Sequence, residues 1–252
     1  MENRSITADK RVYFENIPIK EIEDWLNSKP KMVANASEKY ELAKARAIYG
    51  TQPKDYLIMA YVLMTYEKAL SKRVDVDYGL ECDAAISRIL YRFQYLVKCP
   101  YAAMLDYTDF NIQYTLEIQA HIFEKISQVY GLSYPGHDLP KASQWCTASI
   151  LNSYIRYPKV QDLVRTKQGL FSGIRGTSFV NTILNIYYFK TGTSIVKKLF
   201  LRLDVEYYSS HQGDDLWVYS NLRGWNIVLY HVMMAIALKF ERSKWVVPLP
   251  AL

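Results

Sequence analysis

Three short segments carry the residue types of this chain that are best suited to chemistry. Residues 105–111 read Leu-Asp-Tyr-Thr-Asp-Phe-Asn, and residues 213–215 read Gly-Asp-Asp. Between them, residues 172–182 follow the pattern Ser-Gly-x3-Thr-x3-Asn-Thr. Mg²⁺ prefers oxygen ligands such as carboxylates, while hydroxyl and amide groups can form hydrogen bonds with a sugar. Acids before and after a polar segment therefore indicate nucleotidyl transfer that depends on two metal ions.

Two strand ends are predicted to position the acids. Residues 101–105 form an uninterrupted apolar run that is typical of a buried strand, and Asp106 stands at its end. Apolar residues flank the Gly-Asp-Asp segment and predict a β-hairpin with Asp214 and Asp215 at its turn. We expect Asp106 and this hairpin to lie together and to hold the metal ions. Each acidic segment alone also has a structural interpretation, because Asp favours helix N-termini and Gly-Asp-Asp is a common turn sequence.

The segment between the acids predicts a loop followed by a helix with a polar ridge. Three glycines in residues 169–176 favour the loop, and a helix is predicted from about residue 177 to 189. Thr177 and Asn181 are four residues apart and therefore share one face of this helix, which Asn185 extends. A merely solvated helix face would more often carry Lys and Glu, so the ridge favours a binding function.

The rest of the chain predicts an α+β fold, a small antiparallel sheet with helices against one face. No internal repeat or long linker interrupts the 252 residues, which we interpret as one continuous body. The other predicted elements are a short amphipathic turn at 22–26, a strand at about 43–49, helices at about 55–70, 83–98 and 226–239, helical spacing from 112 to 126, and a strand at 245–247.

Composition gives weaker indications of partners. The net charge of +6 favours a polyanionic partner, and the three cysteines have no metal-ligand spacing. The most apolar stretches, residues 56–64 and 227–238, are shorter than a bilayer requires, so no membrane partner is expected.

In their order and residue types, the three segments resemble motifs A, B and C of viral RNA-dependent RNA polymerases. The sequence of residues 106–111, together with His-Gln-Gly-Asp-Asp at 211–215, is most similar to the totivirus-like polymerases of double-stranded RNA viruses. The resemblance covers about residues 43–247. It implies a single polymerase core, fingers-like to about residue 100 and a palm from about 101 to 252. The chain ends about where motif E and the thumb would begin, so we expect the thumb to be missing.

The resemblance also implies roles for individual residues. Two Mg²⁺ ions, or Mn²⁺ in their place, would bind Asp106, Asp214 and Asp215 during RNA-templated RNA synthesis. Asn181 would recognise the ribose 2′-hydroxyl together with Asn111, a position that is Asp in the general family pattern. Asparagine keeps both donor and acceptor capacity there. The remaining motif B residues are expected to contact the template or the incoming nucleotide: Ser172, Gly173 and Thr177.

Two sets of basic residues complete the resemblance. Lys44 and Arg46 resemble motif F, in which basic residues two apart on a strand face the same way and clamp the triphosphate. Lys244 matches the motif D lysine that would protonate the leaving pyrophosphate, and Lys239 is the competing candidate. A solvated basic strand and a surface lysine are the structural alternatives.

The partners implied by the resemblance are an RNA template, the nascent strand, nucleoside triphosphates and a viral capsid protein. The implied location is the host cytoplasm, inside the viral particle. One alternative is a catalytically incomplete palm fragment that binds RNA or capsid protein without turnover. Another is a helical metal enzyme of the terpenoid-synthase type that uses Asp106 and Asp109, although the usual downstream metal motif is missing. Reverse transcriptases share the palm, but Asn181 favours ribonucleotides.

Overall fold

The computed structural model describes residues 10–41, 44–80, 82–200 and 204–236 of the chain. Its helices are α1 Lys10–Glu15, α2 Ile19–Asn27, α3 Pro53–Ser71, α4 Cys82–Lys98, α5 Leu116–Ser133, α6 Asp138–Leu151, α7 Thr177–Leu199 and α8 Arg223–Ala235. Its strands are β1 Met32–Glu41, β2 Lys44–Thr51, β3 Tyr101–Asp106, β4 Ser153–Arg156, β5 Val164–Arg165, β6 Tyr207–Gln212 and β7 Asp215–Ser220.

The strands form two small sheets. One has the order β3-β7-β6 and is antiparallel throughout, while the other has the order β2-β1-β4-β5 and includes a parallel β1–β4 pair. The α+β class predicted from the sequence is therefore confirmed. Of the four strands in the second sheet, the sequence predicted only β2, because the polar run in β1 and the short β4 and β5 carry weak strand signals.

Helices cover both faces of the three-stranded sheet, so the prediction that they lie against one face was wrong. Successive strand residues point to opposite faces. Tyr207 accordingly stacks on Trp225 of α8, and Tyr208 stacks on Tyr95 of α4, with ring centroids 4.7 Å apart in both pairs. Strand β6 carries aromatic residues on both sides, and each side needs a helix to bury it.

Helix α7 extends ten residues beyond its predicted end, from Phe189 to Leu199. Gly192 lies inside this longer helix rather than at its end, and its lack of a side chain lets α8 approach closely. A Cβ atom at Gly192 would lie 2.8 Å from the Cγ atom of Met233. The close contact offsets the low helix propensity of glycine.

One hydrophobic core joins the two sheets. It includes Ala34 of β1 and Leu105 and Leu216 of the three-stranded sheet, together with apolar side chains of α3, α5, α6, α7 and α8. Across the described part of the chain, no helix is both long and apolar enough to cross a bilayer. Three features of the sequence prediction lie outside the described residues: the strand at 245–247, Lys239 and Lys244.

Candidate active site

The two acidic segments meet because their strands pair. Strands β3 and β7 are antiparallel, and their register places Asp106 directly opposite Asp215. A two-residue turn, Gly213-Asp214, joins β6 to β7, and Gly213 has a φ of 57°. Glycine at the first turn position supplies the positive φ of a type II′ hairpin turn. The expectation that Asp106 and the hairpin are neighbours is confirmed, and we call β6, this turn and β7 the acidic hairpin.

The acids form a pair on adjacent strands rather than a preassembled metal cluster. Within the described ranges, no group of three or more His, Cys, Asp and Glu side chains is close enough to hold a metal ion. Two carboxylates nevertheless fit Mg²⁺, because this ion binds through one or two carboxylates and takes its other ligands from water and substrate phosphates. The assignment of Asp106, Asp214 and Asp215 as ligands stays a prediction.

The two asparagines expected to recognise a sugar contact each other. Asn181 Nδ2 donates a hydrogen bond of 3.0 Å to Asn111 Oδ1. Asn181 is only 6% exposed, and its Oδ1 atom has no hydrogen-bond partner among the described residues. A buried acceptor without a donor is costly and calls for an explanation. Sugar binding would supply one, since a hydroxyl group can donate to this oxygen.

A tight turn after β3 directs Asn111 toward α7. Asp109 adopts the left-handed conformation, with a φ of 45°, and a single 3₁₀ turn follows at Phe110–Gln113. The sequence predicted helical spacing from residue 112, but α5 begins only at Leu116, where the Thr115 side chain caps it. The main-chain N–H of Leu170 then donates to Asn111 O at 2.7 Å, which attaches the turn to the loop before α7.

The loop before α7 is hydrogen-bonded to β2. The main-chain N–H of Tyr49 donates to Ser172 Oγ at 3.3 Å, and the N–H of Gly173 donates to Tyr49 O at 3.1 Å. Thr177 uses its hydroxyl to close the loop, with Phe171 O and Ile174 O each 2.9 Å away. A contact of Ser172, Gly173 or Thr177 with a template or nucleotide stays a prediction.

The predicted motif F strand belongs to a larger basic surface. Lys44 begins β2, where the register pairs it with Glu41, and Arg46 pairs with Lys39 of β1. Opposite residues share a face and alternate residues return to it. Asn35 of β1 pairs with Arg156 of β4, and Tyr154 pairs with Arg165 of β5. One face of the sheet therefore carries four exposed basic residues, which we call the basic face: Lys39, Arg46, Arg156 and Arg165.

Three residues that hold the acidic hairpin on α7 were not predicted from the sequence. Thr182 and Asn185 of α7 form hydrogen bonds with the turn of the hairpin, and His211, in β6 of the hairpin itself, contacts Asn185. The sequence placed Asn185 only on a polar ridge of the predicted helix. The position of His211, two residues before Gly-Asp-Asp, did not suggest a role for it. The spacing of Asn185, four residues after Asn181, was the available signal.

The structure thus combines paired acids at strand ends, an amide-bearing helix beside them and a basic strand. Residues 2–249 match the model of the viral RNA-directed RNA polymerase family. The chain therefore belongs to that family.

Named relatives agree with this membership. The chain is 27% identical to the probable RNA-directed RNA polymerase of Saccharomyces cerevisiae virus L-A over 85% of its length, and 30% identical to that of Helminthosporium victoriae virus-190S over 72%. It is 23% identical to the RNA-directed RNA polymerase of Penicillium chrysogenum virus over 94% of its length. These matches span only 14%, 20% and 20% of the respective relatives, a fifth of their length or less.

The close contact between the loop and β2 predicts the effect of Gly173→Ala. A Cβ atom at this position would lie 2.6 Å from Tyr49 O and 2.9 Å from Gly50 Cα, both main-chain atoms. The loop would have to move and lose hydrogen bonds to β2. We expect the free energy of unfolding to fall by about 1–3 kcal/mol, measured by urea denaturation.

Gly131→Ala is the matched control for this prediction. Gly131 lies in α5, where an added Cβ has no neighbouring atom within 4 Å and helix propensity favours alanine by about 1 kcal/mol. This variant should be as stable as the wild type or more so. Equal stability of Gly173→Ala and the wild type would contradict the tight packing of the loop on β2.

Proposed function

We propose that this chain is the part of a viral polymerase that performs RNA-templated RNA synthesis by two-metal nucleotidyl transfer. The observation that carries the proposal is a juxtaposition within a member of the polymerase family. Asp106 stands opposite Asp215 at the end of one sheet, and Asn181 is bonded to Asn111 beside it. The acids would serve the metal-dependent transfer, and the amides would serve the selection of ribonucleotides.

The acids provide the metal site in this proposal. Polymerases of this family generally use divalent metal ions, and the carboxylates of Asp106, Asp214 and Asp215 suit two Mg²⁺ ions or Mn²⁺. When bound, the ions would activate the primer 3′-hydroxyl and neutralise charge on the triphosphate. Strands β3 and β7 hold Asp106 and Asp215 in place before substrate arrives, so little free energy is lost in ordering these two residues when the ions bind.

The amides provide selection of ribonucleotides. With its Oδ1 engaged by Asn181, Asn111 presents the Nδ2 donors of its amide, while Asn181 presents an Oδ1 acceptor. A ribose 2′-hydroxyl both donates and accepts, so the pair is complementary to it. A deoxyribonucleotide would leave the Asn181 oxygen unsatisfied.

Basic residues provide phosphate contacts. Lys44 and Arg46 would clamp the triphosphate at one end of the basic face. The rest of that face, with Arg156 and Arg165, suits the phosphates of the RNA strands. Ser172 and Gly173 connect this sheet to α7, and Thr177 begins the helix. Lys244, outside the described residues, would protonate the leaving pyrophosphate.

We assign the three-stranded sheet with α7 and α8 to the palm and the four-stranded sheet to the fingers. Strands β4 and β5 follow α6, yet they pair with β1. The fingers-like part therefore draws on residues beyond about 100 in this assignment. The motifs resemble those of totivirus-like polymerases, and on that basis we place the protein inside the viral particle in the host cytoplasm, with capsid protein as a further partner.

RNA binding without turnover is a second candidate function, and the basic face favours it. The chain spans a fifth or less of the length of the relatives named above, and RNA binding by the basic face would not need the catalytic acids. Magnesium-dependent nucleotide incorporation separates the two candidates, because only the polymerase would perform it.

The metal role predicts that Asp214→Asn loses activity by several orders of magnitude, because the amide keeps the size of the side chain but removes the charge that attracts Mg²⁺. The measurement is single-nucleotide incorporation on a primer-template at equal protein and magnesium concentrations. Asp162→Asn, in the exposed loop between β4 and β5, is the control and should keep wild-type activity. Wild-type incorporation by Asp214→Asn would refute the metal role of Asp214.

The sugar role predicts that Asn181→Ala reduces discrimination between ribonucleotides and deoxyribonucleotides. Removing one amide of the pair removes much of the penalty for a missing hydroxyl, about 1–3 kcal/mol for an unsatisfied buried group. The ratio of kcat/KM for a ribonucleotide and its deoxy counterpart should fall about 5- to 150-fold. An unchanged ratio would mean that Asn181 serves only helix packing.

The basic face predicts a salt-dependent loss of RNA affinity in Arg156→Gln/Arg165→Gln. For single-stranded RNA, log K falls as log salt rises, and each lost phosphate contact makes this negative slope shallower by about 0.7. Binding is measured by fluorescence anisotropy without nucleotides, so it does not depend on catalysis. Lys198→Gln, near the C-terminal end of α7, is the control for the loss of a positive charge outside the basic face. Equal slopes for the double variant and the control would exclude the basic face as an RNA contact.

A further inference from the structure

We infer that Asn185 is a positioning residue that holds the acidic hairpin at its place beside Asp106, with Thr182 and His211 as its partners. This inference rests on the proposed function, in which the hairpin carries metal-binding acids. It adds residues that lie outside the expected metal and nucleotide sites and that act through the hairpin main chain.

Three hydrogen bonds attach the turn of the hairpin to α7. Asn185 Nδ2 lies 3.1 Å from Gly213 O and 2.8 Å from Asp215 O, and it donates to both. The main-chain N–H of Gly213 donates to Thr182 Oγ1 at 2.9 Å. Both polar groups of Gly213 are therefore bonded to the same helix. Asp214 lies between the two carbonyls that Asn185 holds, so its main-chain position depends on this helix.

His211 fixes the orientation of the Asn185 amide. His211 Nδ1 lies 3.1 Å from Asn185 Oδ1, and because an amide oxygen only accepts, the ring nitrogen donates. His211 Nε2 then accepts from Ser209 Oγ at 3.1 Å. Burial lowers the pKa of His211 to about 4, which keeps the ring neutral near pH 7. With its oxygen held by the ring, Asn185 directs its donors toward the hairpin.

The network is buried from solvent. Asn185 and Thr182 are fully buried, and His211 is 1% exposed. Gly213 and Asp215, whose carbonyls accept from Asn185, are partly buried, so these hydrogen bonds are partly shielded from competing water. Asn185 also lies one turn after Asn181, a rise of about 6 Å along α7. One rigid helix thus sets the spacing between the sugar-recognising amide and the acidic hairpin.

Asn226 offers a matched control. It is 3% exposed, lies on α8 and donates from Nδ2 to Tyr101 O at 3.1 Å. Tyr101 is at the other end of β3, about 17 Å along the strand from Asp106. Both asparagines are buried amides that donate to carbonyls of the same sheet, but Asn185 contacts the acidic hairpin and Asn226 contacts the far end of β3. Truncation should lower the Tm in both variants.

The experiment compares Asn185→Ala with Asn226→Ala in three measurements: Tm, Mn²⁺ binding followed by electron paramagnetic resonance, and the Mg²⁺ dependence of nucleotide incorporation. For Asn185→Ala we expect Mn²⁺ affinity to fall on the order of tenfold, and kcat to fall by a similar or larger factor, because small misplacements of reacting groups are costly. Asn226→Ala should keep the wild-type Mn²⁺ affinity and Mg²⁺ dependence. Similar metal binding by both variants would overturn the inference.

Thr182→Val and Thr182→Ser provide a second test that does not depend on the folding of Asn185→Ala. Valine has nearly the shape of threonine but cannot accept from Gly213, whereas serine keeps the hydroxyl. Serine should preserve Mn²⁺ affinity and valine should reduce it, and equal affinity in the two variants would overturn the inference. A wild-type chain that binds Mn²⁺ but incorporates no nucleotide would contradict the proposed function alone. A wild-type chain that binds no Mn²⁺ would overturn the positioning role.

Discussion

The pairing of β3 with β7 is the constraint on which the rest of the candidate site depends. Its register places Asp106 opposite Asp215, and a slip of one residue would turn the side chains of a strand to the other face. Like charges directly opposite each other are unfavourable. The neighbouring pair, Leu105 with Leu216, is almost fully buried and favours the observed register. An apolar pair thus holds two acids in a position that their charges oppose.

Helix α7 relates that acidic pair to the other parts of the site. Before its first turn, the Arg175 guanidinium forms two hydrogen bonds of 2.5 and 2.6 Å with the Glu67 carboxylate of α3. Gly173, just upstream, is bonded to β2. The helix then presents Asn181 to Asn111 and Asn185 to the acidic hairpin. Segments far apart in sequence therefore acquire fixed distances because they attach to one helix.

Sequence patterns predicted those parts of the fold that depend on local signals. The apolar run before Asp106, the Gly-Asp-Asp turn and α7 all have strong local patterns, and the structure contains each of them. Strands β1, β4 and β5 gave little indication, because β1 is polar, β4 and β5 are short, and the pairing of β1 with β4 joins segments that are far apart in sequence. The contact between His211 and Asn185 was similarly hidden, since a histidine acquires that role only through burial.

The basic residues of the four-stranded sheet and the acids of the three-stranded sheet act in opposite ways on a phosphate group. In the proposed function, the basic face would attract phosphates, whereas the charges of Asp106 and Asp215 would repel a triphosphate that approaches the end of the three-stranded sheet. Loop residues Ser172 and Gly173 join the two regions through β2. Divalent cations would neutralise the acids and reverse the repulsion, so nucleotide and metal should each strengthen the binding of the other. In the proposed function, the acidic pair is thereby suited to a site that binds triphosphate weakly until metal ions are present.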